Sequence, residues 1–88
     1  MKASNQDKEF YWIMRDQIRE WYSNNGTLLD KVGLHEVLKH YADLDGVSMK
    51  TITHDQLQQL KEWTKQYALE HCNIEYDKDE RIKLNFER

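Results

Sequence analysis

The chain contains no proline, and its glycines stand only at positions 26, 33 and 46. Proline is the residue that stops a helix outright, so without it a helix can run through any stretch whose apolar residues recur at three and four positions. Breaks are then left to glycine in polar surroundings. Gly26 closes Ser23-Asn24-Asn25-Gly26 and Gly46 closes Asp43-Leu44-Asp45-Gly46, which divides the sequence into three helical stretches and a tail.

In the first stretch Phe10, Met14, Ile18 and Trp21 lie at steps of four, four and three, with Tyr22 at the edge. This spacing predicts a helix over 5–23, with Ser4 as its N-cap because a hydroxyl there accepts from a free amide of the first turn. Leu34, Val37, Leu38, Tyr41 and Leu44 predict a second helix over 29–43, entered through Thr27 to Asp30. A third, over 54–72, starts at Thr53 with Gln56 completing a capping box and buries Leu57, Leu60, Thr64, Tyr67, Ala68 and His71. Asn73 suits the left-handed residue that ends it, with Ile74 folding back. In the tail the period drops to two, with Ile82, Leu84 and Phe86 alternating against polar residues, so a half-buried strand is expected over 81–87. A lone strand needs a partner: Gly46 to Ile52, which alternates weakly, a second subunit, or a chain segment outside this sequence. The expected fold is mainly α: one small three-helix domain over 1–88 with a short β element near the C-terminus.

Eighty-eight residues close a single core, which excludes a multidomain enzyme. Charged residues make up 33%, yet three Trp, five Tyr and two Phe mark a folded chain. The net charge of −3 excludes a general polyanion binder while leaving room for a local basic stripe. Cys72, the single cysteine, closes no disulfide within the chain and builds no thiolate cage, and no apolar run approaches the roughly 18 residues of a membrane span. The expectation is a soluble protein of the reducing cytoplasm with no membrane partner.

His35 and His40 sit in a segment similar to a zinc-protease helix, but they are five residues apart and diverge by about 140° around a helix, too far to share one ion. Asp43-Leu44-Asp45-Gly46 is similar to a calcium loop, except that its closing position holds Ile52 and its first ligand position Tyr41. His71 and Cys72 are neighbours on a helix and diverge by about 100°, so neither activates the other. With no acid, base and nucleophile set in view, no catalytic residue, cofactor or metal is expected.

One group on the first helix is suited to binding. Lys8, Trp12, Arg15 and Arg19 follow steps of four, three and four and share an arc of about 60°, placed opposite the Phe10, Met14, Ile18 stripe. A Trp among cations is a platform for single-stranded nucleic acid, since indole stacks on any base while Arg and Lys hold phosphates.

The order of residues resembles the phage recombination proteins of the NinB type, called Orf in lambda-like phages. Ser4-Asn5-Gln6 followed by Tyr11-Trp12 is similar to the family's S-x-x-Q and Y-W at the start of its first long helix. Leu34-His35-Glu36-Val37-Leu38-Lys39 looks like its LHE-x-LK helix, and Ser48-Met49-Lys50-Thr51-Ile52-Thr53 resembles the S-T-x-x-L-T that leads into its last helix. Leu57, Leu60, Trp63 and Tyr67 fit that helix, so the resemblance spans residues 4 to 75. Relatives of this type carry a strand-rich region ahead of the S-x-x-Q and are more basic, whereas Asp77-Lys78-Asp79-Glu80 adds acid here. The resemblance implies the C-terminal helical part of a dimeric, non-enzymatic recombination mediator of the host bacterial cytoplasm. Such a protein binds single-stranded DNA and helps load a recombinase onto strands coated by single-strand-binding protein.

A second class stands beside it: a phage protein-interaction module that docks on a host or phage partner through an acidic helical surface and exposed aromatics. Salt separates the two, because phosphate binding weakens steeply as counterions are released and apolar docking changes little.

Overall fold

The computed structural model describes residues 2–76 and 82–83. Three helices, α1 (Asn5–Asn24), α2 (Lys31–Tyr41) and α3 (His54–Cys72), are followed by two short strands, β1 (Glu75–Tyr76) and β2 (Ile82–Lys83). The protein is mainly α, as the spacing of its apolar residues predicts.

Each helix starts where a side chain satisfies its free amides. Ser4 Oγ accepts from the Asp7 amide at 3.1 Å, Asp30 Oδ2 from the Gly33 amide at 2.9 Å, and Thr53 forms the full capping box with Gln56. Gly26 takes φ 91° just past α1, and Asn73 takes the left-handed conformation just past α3, with the Ile74 amide donating back to the Ala68 carbonyl at 3.0 Å. Helix α2 is shorter than the 29–43 expected, since Asp43 at φ 61° turns the chain out of the helix and Gln59 Nε2 donates to the Ala42 carbonyl.

The core is a set of stripes on the three helices. Tyr11, Met14 and Ile18 are buried on α1, Leu34 and Leu38 on α2, and Leu57, Leu60, Thr64, Ala68 and Cys72 on α3, with Ala3, Ala42, Leu44 and Ile52 from the connections. Three predicted positions differ. The buried line of α1 runs through Tyr11 and leaves Phe10 half-buried, edge-on to Tyr76 at 5.9 Å, a rotation of the face by about 40° at 100° per residue. Val37 is 48% exposed, because α2 turns Leu34 and Leu38 inward and Val37 falls on the outer side of both. His71 is exposed, while Cys72 beside it is buried, since α2 has already ended at Tyr41 and the last turn of α3 has no helix over His71.

The predicted strand also finds a different partner. Ile82–Lys83 pairs antiparallel with Glu75–Tyr76, with Tyr76 opposite Ile82, while the rest of the expected 81–87 strand lies outside the described residues. Residues 46–52 form turns. What pairs beside them is the N-terminal segment: the Ala3 amide donates to the Ile52 carbonyl at 3.1 Å, and Lys2 bridges to Thr53. A buried cation ties the same end of α1 to α3: Lys61, 2% exposed, lies 3.3 Å from Asp7 Oδ1 and over the Phe10 ring. Lys39, also buried, donates to the Val47 carbonyl at 2.9 Å and holds the α2–α3 connection against the core.

Leu38→Ala and Leu60→Ala are each expected to lower stability by about 2–5 kcal/mol, and Val37→Ala by less than about 0.5 kcal/mol. Urea unfolding measures all three. A loss at Val37 equal to that at Leu38 would mean that α2 presents a different face to the core.

Candidate nucleic-acid interface

Lys8, Trp12, Arg15 and Arg19 all lie on α1 and share one side of it. That side is a flank, about 90° from the buried line of Tyr11, Met14 and Ile18 at 100° per residue, and not the opposite face. The correction follows from the rotation that brings Tyr11 into the core. On the flank α1 meets α2, and the site is built partly from α2.

Trp12 is half-buried. Its ring centroid is 5.0 Å from that of Tyr11 and 4.9 Å from that of His35, and the Arg15 guanidinium carbon sits 4.6 Å from it. Arg15 is held there by Asp16, whose Oδ1 accepts from Nε at 3.1 Å and Nη2 at 2.8 Å. The result is a planar cation stacked on an indole, with its charge shared by a neighbouring carboxylate. Arg19 donates its Nε to the Leu29 carbonyl at 2.9 Å, which fastens the α1–α2 connection and leaves its terminal N–H groups without a protein partner among the described residues. Lys8 is half-buried and makes no ion pair among those residues. Beyond Arg19 a polar cleft of about 390 Å³ is lined by Asp16, Glu20, Ser23, Asn24, Leu28 and Leu29.

His35 joins this site from α2, beyond the four residues that the sequence groups on α1. The Tyr11 hydroxyl and His35 Nδ1 are 2.6 Å apart. Burial pushes the Tyr11 phenol far above its usual range, so it keeps its proton and, as its only partner among the described residues is Nδ1, donates to it. His35 is therefore the neutral Nε2–H tautomer. Burial first, then the Lys39 charge, lowers its pKa. The available signal was the Tyr11-Trp12 pair itself, since two adjacent aromatics on a helix point about 100° apart and the second needs cover from another element.

The other sequence candidates fall elsewhere. His40 turns outward to Asp45, 3.0 Å away, and so faces a different partner from His35. Burial pushes the Cys72 thiol up to about 11, which keeps it protonated at neutral pH. Among the described residues no three His, Cys, Asp or Glu side chains converge as a metal site, and no helix is long and apolar enough to cross a membrane. Comparison with protein-family models, with curated proteins and with solved structures found no match to this chain.

The burial of His35 makes stability depend on pH with a definite sign. His35 has a lower pKa folded than unfolded, so the unfolded chain binds the extra proton first. Stability is thus complete above the unfolded value of about 6.5 and falls as pH drops through and below it. Asp7, held below its ordinary range chiefly by the Ser4 hydroxyl, acts in a separate and more acidic window, where stability is lost as its carboxylate is protonated. His35→Gln is expected to flatten the stability profile between about pH 5 and 7 while leaving the more acidic loss in place. Unfolding midpoints across that range provide the measurement, and an unchanged slope would refute the buried neutral histidine.

Proposed function

We propose that the chain is a non-enzymatic accessory of phage DNA recombination that binds single-stranded DNA along the α1 flank. The observation that carries this reading is the stack of Arg15 on Trp12, flanked by the Lys8 ammonium and the terminal N–H groups of Arg19, which have no protein partner among the described residues. Indole and guanidinium planes both accept a base, and the outer cations meet the phosphates on either side. The resemblance to NinB-type proteins supports the same reading, because its segments coincide with working junctions of the fold: Ser4 caps α1, Leu34 to Lys39 lie in α2, and Thr53 caps α3.

Roles along the flank are unequal. Asp16 offsets the charge of Arg15, so Arg15 serves chiefly to extend the Trp12 platform, and Lys8 and Arg19 supply the phosphate contacts. Asp16 and Glu20 set a limit on affinity by repelling phosphate near Arg19, which suits transient handling of strands by a homodimer working beside single-strand-binding protein or a recombinase.

The test is fluorescence anisotropy with a labelled single strand over a range of salt, beside the same sequence as a duplex. Lys8→Gln and Arg19→Gln are each expected to weaken binding and to reduce the log-affinity against log-salt slope by about 0.7. Arg15→Gln reduces the slope less. Trp12→Phe, which keeps apolar cover on Tyr11 and His35, lowers affinity at every salt concentration alike. Wild-type affinity and slope in all four variants, with helicity intact by circular dichroism, would overturn the assignment.

A further inference from the structure

A second surface carries chemistry that the α1 flank does not use. Trp63, Tyr67 and His71 recur at steps of four on α3, and Tyr41 at the end of α2 joins them. Tyr41 stands edge-on to Trp63 at 5.5 Å and to Tyr67 at 5.4 Å, and Tyr67 stacks on His71 at 4.4 Å. This is a continuous aromatic row, yet Trp63 keeps 44% of its surface exposed and His71 is exposed as well. Tyr67 packs against the core on its inner side, whereas Trp63 and His71 lie outside it, since Leu57, Leu60, Thr64 and Ala68 provide the burial of α3.

Beside the row runs a shallow cleft of about 410 Å³ lined by Glu62, Trp63, Gln66 and Glu70. Glu62 is paired with Lys65 at 3.2 Å. Glu70 has no cation partner among the described residues. Its Oε1 accepts from the Tyr41 hydroxyl, and its Oε2 accepts from Gln66 Nε2 at 2.8 Å. Those two neutral donors do two things. They hold the carboxyl below the usual range, the Tyr41 hydroxyl most of all, so it is ionised at neutral pH. They also fix its orientation beside the Trp63 ring, so little freedom remains to be lost when a ligand arrives. Each carboxylate oxygen retains a further lone pair.

An electron-rich ring face beside an oriented, uncompensated carboxylate is a site for a cation. A planar guanidinium fits both parts, stacking on the indole and forking onto the carboxylate, whereas an ammonium is a compact charge that meets one part at a time. Phosphate is disfavoured here by Glu62 and Glu70, which separates this surface from a second nucleic-acid platform. We propose that the aromatic and acidic face of α2 and α3 docks an arginine-bearing basic segment of a protein partner, with the guanidinium over Trp63 and against the Glu70 carboxylate. It shares no residue with the α1 flank and does not depend on strand binding there.

The experiment titrates the full chain with a short unstructured peptide carrying two arginines separated by glycine, and with matched lysine and citrulline peptides. The readout is the NMR signal of the Trp63 indole N–H, assigned by its loss in Trp63→Phe. Saturable movement of that signal by the arginine peptide is expected, with weaker binding by the lysine peptide and none by the citrulline peptide. Glu70→Gln, on the solvent side of α3, weakens the arginine peptide about tenfold with helicity unchanged, and Trp63→Leu does the same when read on the backbone amide signals of Glu62 and Gln66. No movement at Trp63, equal movement with citrulline, or full binding by Glu70→Gln overturns the proposal. So does displacement of the same signal by a single-stranded oligonucleotide in place of the peptide.

Discussion

Leu57, Leu60, Thr64 and Ala68 follow one another at three and four residues along α3, and none reaches solvent, because α1 and α2 both lie against that helix. A chain of this size buries only about 60% of the surface its unfolded form exposes, so it cannot afford a helix whose apolar side faces water. Helix α1 meets the stripe with Tyr11, Met14 and Ile18, and α2 with Leu34 and Leu38. The connections follow suit: Ile52 and Leu44 enter the same core, and the Ala3 amide is drawn onto the Ile52 carbonyl. Every other feature of the molecule, including both candidate binding surfaces, is what remains of α1, α2 and α3 after that stripe is covered.

A small core built from aromatic residues brings polar atoms inside with it, and each of these is satisfied locally. Tyr11 donates to His35, the Tyr22 and Tyr67 hydroxyls meet at 2.9 Å, the Tyr76 hydroxyl donates to Gln17, and Thr64 donates to the Leu60 carbonyl at 2.7 Å. No buried side-chain nitrogen or oxygen among the described residues lacks a partner. An unsatisfied group would cost about 1–3 kcal/mol, a large share of the margin of a small domain. The three tyrosine bonds run between elements, so they fix the relative rotation of those elements where apolar contact alone would leave it loose.

That rotation decides what the surfaces can do. With Tyr11 inward, Trp12 rests on His35 and under Arg15, and its platform is a composite of two helices instead of an isolated indole. The charges are arranged so that Lys8, Arg15 and Arg19 share one flank of α1, while the Glu70 carboxylate, with no cation partner among the described residues, sits on α3 beside Trp63. A near-neutral chain can in this way present surfaces of opposite character, each acting over the roughly 8–10 Å that salt permits.

Much of this was legible in the residues. Periodicity, the absence of proline, and the capping residues Ser4, Thr53, Gln56 and Asn73 locate the helices to within a few positions, because those preferences are local and act through the backbone of one turn. The set Lys8, Trp12, Arg15 and Arg19 was likewise visible as one side of a helix. What the sequence could not state is how far each helix is turned about its own axis. Phe10 and Tyr11 are equally good core residues by type, as are Val37 and Leu38, and only contact with α3 distinguishes them. The same holds for His35, Lys61 and the pairing of Ile82 with Tyr76, which depend on partners 24, 54 and 6 residues away. Local chemistry thus determined the elements and their ends. Tertiary structure alone decided which faces meet, since burial energy depends on the surface that a neighbouring element removes from water and not on the residue that offers it.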